Sequence, residues 1–121
     1  MNDNILVDKS FKFAVRVVNL YKYLSKDKKE FILSKQLLRS GTSIGANINE
    51  SQEAQSKADF ISKLSISLKE ARESKYWIEL LKETNYLTDN EADNILDDLI
   101  EILKLLISII KTTKENMKNE K

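Results

Sequence analysis

Across its 121 residues this chain has no proline, and its only two glycines, Gly41 and Gly45, stand four apart inside a run that otherwise reads as helix. With no proline, nothing interrupts the i to i−4 ladder, whereas each glycine in a helix interior costs roughly 1 kcal/mol relative to alanine. A chain so sparing of helix breakers is expected to be all-helical, with the glycine pair serving a contact that a side chain would obstruct. Hydrophobic residues at 41% and charged residues at 32% fit the same soluble helical class. The length suits one domain able to bury roughly two thirds of its unfolded surface.

Four amphipathic segments follow from the spacing of apolar residues. The first, about 8–25, carries a stripe of Phe11, Ala14, Val15, Val18, Tyr21 and Leu24, with Asp8 or Ser10 available as cap. The second, about 29–55, opens on Asp27 and Glu30 and places Leu33, Leu37, Ile44 and Ile48 inward. The third, about 57–85, starts at a Ser56–Asp59 box and buries Phe60, Leu64, Leu68, Ala71, Ile78 and Leu81. The fourth, about 89–115, starts at the Thr88–Glu91 box and buries Ala92, Ile95, Leu99, Leu103, Leu106 and Ile110, before a polar tail expected to fray. Long helices with short loops, each apolar on one face, predict an antiparallel up-down-up-down four-helix bundle spanning 1–121 as a single domain.

The fourth helix carries more apolar surface than one bundle needs. Ile100, Ile102, Leu105, Ile107 and Ile109 add to its stripe, so apolar residues nearly encircle it between Leu99 and Ile110. A helix apolar all round is expected to be buried all round, and further copies of the chain are the expected cover, through those five residues.

The glycine segment fits no nucleotide loop: no strand precedes it, no lysine follows, and no G-x-G-x-x-G occurs. G-x-x-x-G flanked by Ser40, Ser43 and Ala46 instead aligns small residues on one helix side, where a neighbouring backbone can come close. Beside it, Gln36, Arg39, Ser43, Asn47 and Glu50 recur at three and four. Ser67, Glu70 and Ser74, with Arg72 and Glu73 alongside, form a matching strip on the third helix. Two readings stay open: an interhelical network pairing Arg39 with Glu70 or Glu73, or a strip that binds a partner. Tyr76 and Trp77 suit core or interface packing, with base stacking as the alternative.

Enzymatic chemistry has little to work with. The chain has neither histidine nor cysteine, which removes imidazole acid–base catalysis, triads, Glu-x-x-His di-iron sites and zinc sites. Only Glu50, Glu70 and Glu73 offer carboxylate chemistry, and Arg39, Lys69 and Arg72 lie near enough to pair with them. No catalytic, cofactor or metal site is expected.

A formal net charge of +1 gives no global pull toward nucleic acid or membrane. Locally, the first forty residues carry Lys9, Lys12, Arg16, Lys22, Lys26, Lys28, Lys29, Lys35 and Arg39 against Asp3, Asp8, Asp27 and Glu30. From Asp89 to Glu101 every charge is acidic. Complementary helix faces explain this division; a phosphate-binding surface built from Lys12, Arg16, Lys22, Lys26, Lys28 and Lys29 is the sharper alternative. Absence of cysteine suggests a reducing cytoplasm. MNDNILVDKS lacks the layout of a signal peptide, and Leu99–Ile110, broken by Glu101 and Lys104, is too short for a bilayer.

The run Gln36-Leu37-Leu38-Arg39-Ser40, then Ser43-Ile44-Gly45-Ala46-Asn47-Ile48-Asn49-Glu50, resembles the signature of the four-helix-bundle family of 23S ribosomal RNA intervening-sequence proteins. Phe60 through Ala71, and on to Tyr76-Trp77, is similar to that family's second patch, while Ser51 stands where many relatives carry glycine. The resemblance implies an up-down bundle assembling into a cyclic homo-oligomer, typically a pentamer, of unsettled biochemical role. Such proteins are often encoded within insertions in 23S ribosomal RNA genes, which makes RNA or the ribosome an alternative partner. More distantly similar are the accessory variability proteins of diversity-generating retroelements, which partner a reverse transcriptase and nucleic acid. Those are strongly basic, and this chain is not.

Overall fold

The computed structural model describes residues 3–120, so Met1, Asn2 and Lys121 of the expected domain lie outside the described residues. It consists of four helices and no strand among those residues: α1 Asp3–Lys26, α2 Leu33–Ser51, α3 Lys57–Glu83 and α4 Asp89–Asn119. Each helix touches two neighbours, in the order α1, α2, α3, α4 and back to α1. Contact partners descend along one helix as they ascend along the next: Val17 and Ser10 meet Gly41 and Gly45, Arg39 and Ile44 meet Glu70 and Ser67, Lys57 and Lys82 meet Glu120 and Asp93. None of the described helices is long and apolar enough to cross a membrane.

Helix ends follow local chemistry. Ser56 accepts from the Asp59 N–H at 3.0 Å, while Asp59 accepts from the Gln55 N–H at 3.3 Å. Thr88 and Glu91 form a full reciprocal box at 3.1 and 2.8 Å. Both starts coincide with their sequence signals. α2 does not begin where its signal stood. Lys29 adopts a left-handed conformation (φ 57°), which ends any helix running through 29. Glu30 then folds its carboxylate over the first turn, accepting the N–H groups of Ile32, Leu33 and Ser34 at 3.0, 3.0 and 2.7 Å. α2 closes at Ser51, where i to i+3 bonds from Gln52, Glu53 and Ala54 tighten the chain into the α3 cap. Nor does the tail of α4 fray: helix continues to Asn119, and Glu120 pairs with Lys57.

The core gathers Leu6, Phe13, Val17 and Leu24 from α1 with Leu37, Ile44 and Ile48 from α2. Leu64, Ala71, Ile78 and Leu81 from α3, Leu87 before α4, and Ala92, Ile95, Leu96, Leu99, Ile102, Leu106, Ile109 and Ile110 from α4 complete it. α1 is turned relative to the stripe read from its sequence. Of Phe11, Ala14, Val15, Val18, Tyr21 and Leu24, only Leu24 is fully buried, while Phe11 and Val15 are 67% and 46% exposed. α1 has two apolar faces, and the one carrying small Ser10 and Val17 wins because the α2 glycines face it. A Cβ at Gly41 would lie 2.8 Å from Val17 Cγ2, and one at Gly45 would lie 3.3 Å from the Ser10 carbonyl oxygen.

α4 differs from expectation too. Ile102 and Ile109, assigned to an outer assembly face, are buried in the chain's own core at 1% and 8% exposure. They stand seven apart and share the side of Ile95 and Leu106, which α1 and α3, the two helices flanking α4, cover. Ile100 and Leu105 are half-buried, leaving Ile107 as the large exposed apolar residue of that helix.

Candidate functional site

α2 and α3 make the most extensive helix pair in the molecule, and small polar residues allow it. Ser40, Ser67 and Ser74 are completely buried. Ser40 and Ser74 share a hydroxyl–hydroxyl bond of 2.8 Å, Ser74 also donates to the Glu70 carbonyl at 2.9 Å, and Ser67 donates to the Ile44 carbonyl of α2 at 2.8 Å. A buried hydroxyl left unpaired costs on the order of 1–3 kcal/mol. Here each has a partner within the protein, so the seam is satisfied.

At its edge Arg39 bridges both acidic residues of the α3 strip: Glu70 at 3.1 Å, nearly buried, and Glu73. Glu73 also accepts from the Trp77 indole N–H at 2.9 Å, and Trp77 meets Tyr76 edge-on with ring centres 5.0 Å apart. The other residues of the α2 strip behave differently. Ser43 donates to the Arg39 carbonyl at 2.7 Å and Asn47 donates to the Ser43 carbonyl at 2.9 Å, both within their own helix. Gln36 accepts a long 3.5 Å bond from Arg39, and Glu50 reaches Lys63 at the exposed rim at 3.4 Å. The structure therefore joins Arg39, Glu70 and Glu73 into one unit and leaves Gln36, Ser43, Asn47 and Glu50 along its partly exposed border.

The basic residues of α1 divide likewise. Lys12 pairs with Asp8 on its own helix. Arg16 spans to α4, meeting Asp98 at 2.5 Å and the Asn94 side chain at 2.6 Å. Lys9 pairs with Glu101 at 2.6 Å, and that bond, together with the charge behind it, raises its pKa above the ordinary lysine value. Lys22, Lys26, Lys28 and Lys29 have no carboxylate within 4 Å among the described residues, and Lys28 lies over the Tyr23 ring. No cluster of three or more acidic residues suited to a metal occurs among the described residues.

Sequence reasoning missed two features. Glu30 reads with Asp27 as part of a capping pattern, not as a buried group; burial opposes its charge, but the Leu33, Ser34 and Ile32 N–H groups together outweigh that and hold its carboxyl below the ordinary 4.5. Its position three residues before Leu33 was the available signal. The second is Lys111, Lys114 and Lys118, spaced by three and four toward the polar tail, which line one wall between α4 and α3.

The family model described as 23S rRNA-intervening sequence protein matches residues 2–108. No curated protein matches the chain. Among solved structures, a protein of unknown function from the S23 ribosomal protein family of Bacteroides thetaiotaomicron is 62% identical, with a TM-score of 0.90 over 92% of this chain and 99% of that one. With its four helices, its seam of small residues under Arg39 and a family match over most of its length, the chain belongs to the 23S rRNA-intervening sequence protein family.

Proposed function

We propose that the chain is a non-enzymatic interaction protein: an antiparallel up-down-up-down bundle that works as a cyclic homo-oligomer, a pentamer by family resemblance, in the cytoplasm. The observation that carries this is the outer face of α1. Phe11 and Val15 lie one turn apart with 67% and 46% of their surface exposed, on the side facing away from the core. Paired apolar exposure of this kind marks a contact surface, and a second copy is the cover available to every molecule in solution. The self-association surface is thereby centred on α1 rather than on α4, where Ile102 and Ile109 lie in the core and Ile107 alone of the five stays exposed.

Light scattering at micromolar concentration tests it. Several chain masses are expected for the wild type, and one chain mass for Phe11→Glu combined with Val15→Glu, with helix content retained. A wild type of one chain mass contradicts the reading. The non-enzymatic part is supported by the lack of histidine and cysteine and by the engagement of Glu70 and Glu73 with Arg39.

A second reading, an RNA- or ribosome-associated module, draws on Lys22, Lys26, Lys28 and Lys29 at one end of the bundle. Few cations per subunit bind phosphate weakly, but repetition around a ring adds avidity. Filter binding of structured RNA at low salt checks it, and no retention there removes it. A role as accessory factor to a reverse transcriptase has the net charge of +1 against it.

A further inference from the structure

At the end of the bundle where α3 starts and α4 finishes, the two helices leave a groove. It holds two adjoining cavities of about 460 and 400 Å³ that share Lys114 and Lys118. The floor is apolar, with Ile61, Leu68, Ile107 and Met117. The walls are basic: Arg72 on one side, Lys111, Lys114 and Lys118 on the other, with Glu115 the one acid among the described lining residues. None of these four cations has a carboxylate within 4 Å among the described residues, whereas Lys9, Arg16, Lys57, Lys63 and Lys82 each do. Ile107, Lys111, Lys114 and Lys118 recur at four, three and four, so they form one stripe of about three turns, roughly 16 Å long at 1.5 Å per residue.

We propose that this groove docks an acidic amphipathic helix of another protein. Apolar residues spaced i, i+3 or i+4, and i+7 on that helix fill the floor beside Leu68 and Ile107, and carboxylates on its flanks meet Arg72 and the three lysines. Single-stranded nucleic acid suits the groove less well, since its lining offers no aromatic ring for a base to stack on. A second copy of the chain suits it less well too. The acid-rich half of α4 already engages Asp93, Asp98 and Glu101 with Lys82, Arg16 and Lys9 of its own molecule, which halves the acids it could offer a second copy. The proposal rests on reading the chain as an interaction protein and names the partner's chemistry. Because self-association is assigned to α1, the two fail separately.

The test uses the full chain and two fluorescent synthetic helices with the same leucine spacing, one flanked by glutamate and one by lysine. Anisotropy should show the acidic peptide binding at least about tenfold tighter than the basic one, with the preference shrinking as salt rises. A variant with Lys111→Glu, Lys114→Glu and Lys118→Glu, all at exposed positions, should invert that preference while keeping its helix content and its assembled mass. Equal binding of the two peptides, no binding of the acidic one, or unaltered acidic-peptide binding by the variant would overturn the proposal. Loss of assembly in the variant would overturn it as well, by showing that copies of the chain occupy the groove.

Discussion

The seam between α2 and α3 and the seam between α1 and α4 are both bridged by arginine–carboxylate pairs, yet they hold the bundle in different ways. Between α2 and α3 the backbones come close because Ser40, Ser67 and Ser74 are small, and their hydroxyls are satisfied within the protein. Arg39 then locks the edge, with one partner, Glu70, nearly buried. Between α1 and α4 contact is sparse, and a cleft of about 550 Å³ flanked by Arg16, Leu20, Tyr23 and Ile95 separates them. The ion pairs there are surface pairs, with Arg16 and Asp98 39% and 47% exposed. Exposed pairs of this sort contribute roughly 0–1 kcal/mol. Ionic bonds accompany both seams; close packing distinguishes them.

If that distinction holds, disrupting packing should cost far more than disrupting charge. The largest effect is expected at the glycine contact that anchors α1 to α2. Gly41→Leu drives a side chain into Val17, already 2.8 Å from a mere Cβ, and should destabilise by about 1–3 kcal/mol in urea unfolding. Gly45→Leu, facing the Ser10 backbone, belongs in the same range. An unchanged midpoint in both variants would show that the close approach is not needed. Ser40→Ala comes next: it removes the bond to Ser74, which still donates to Glu70, so about 1 kcal/mol is expected.

Glu30→Gln sharpens the account of how α2 starts. A folded-state pKa held below the ordinary 4.5 means its contribution is present above that value and is lost as pH falls through the folded pKa. Wild type should therefore exceed Glu30→Gln by about 1 kcal/mol near neutrality, with the gap closing in acid below 4.5. A gap independent of pH would mean that the carboxylate charge is irrelevant. Smallest of all should be Asp98→Asn on the loose seam, within roughly 0–1 kcal/mol and vanishing in high salt. A loss there exceeding that of Ser40→Ala would erase the difference between the seams.

How much was legible in advance depended on whether a residue type announces its environment. Four helices follow from apolar spacing and from the absence of proline, and the caps at Ser56 and Thr88 can be read because their chemistry is local. Arg39 opposite Glu70 and Glu73 is similarly readable, since unlike charges on facing strips pair. The face of α1 was not. Phe11, Val15 and Val18 look as much like a core stripe as Leu6, Phe13 and Val17 do, and only the position of the glycines on the neighbouring helix decides between them. Buried serines escape a reading by polarity because their burial depends on partners 23 and 34 residues away. The lysine stripe of α4 was visible in its spacing, but a polar sequence near the C-terminus reads as a tail until Glu120 is found pairing with Lys57.

That choice of face is what the functional account depends on. Oxidative footprinting at high and low protein concentration examines it directly, by following the labelling of Phe11, which is 67% exposed on a single chain. Labelling of Phe11 should fall steeply as concentration rises and the copies assemble, while Tyr23, half-buried beside the α1–α4 cleft, changes little. A Phe11 that labels equally fast at both concentrations would mean that α1 faces water in the working form, contradicting assembly through that helix.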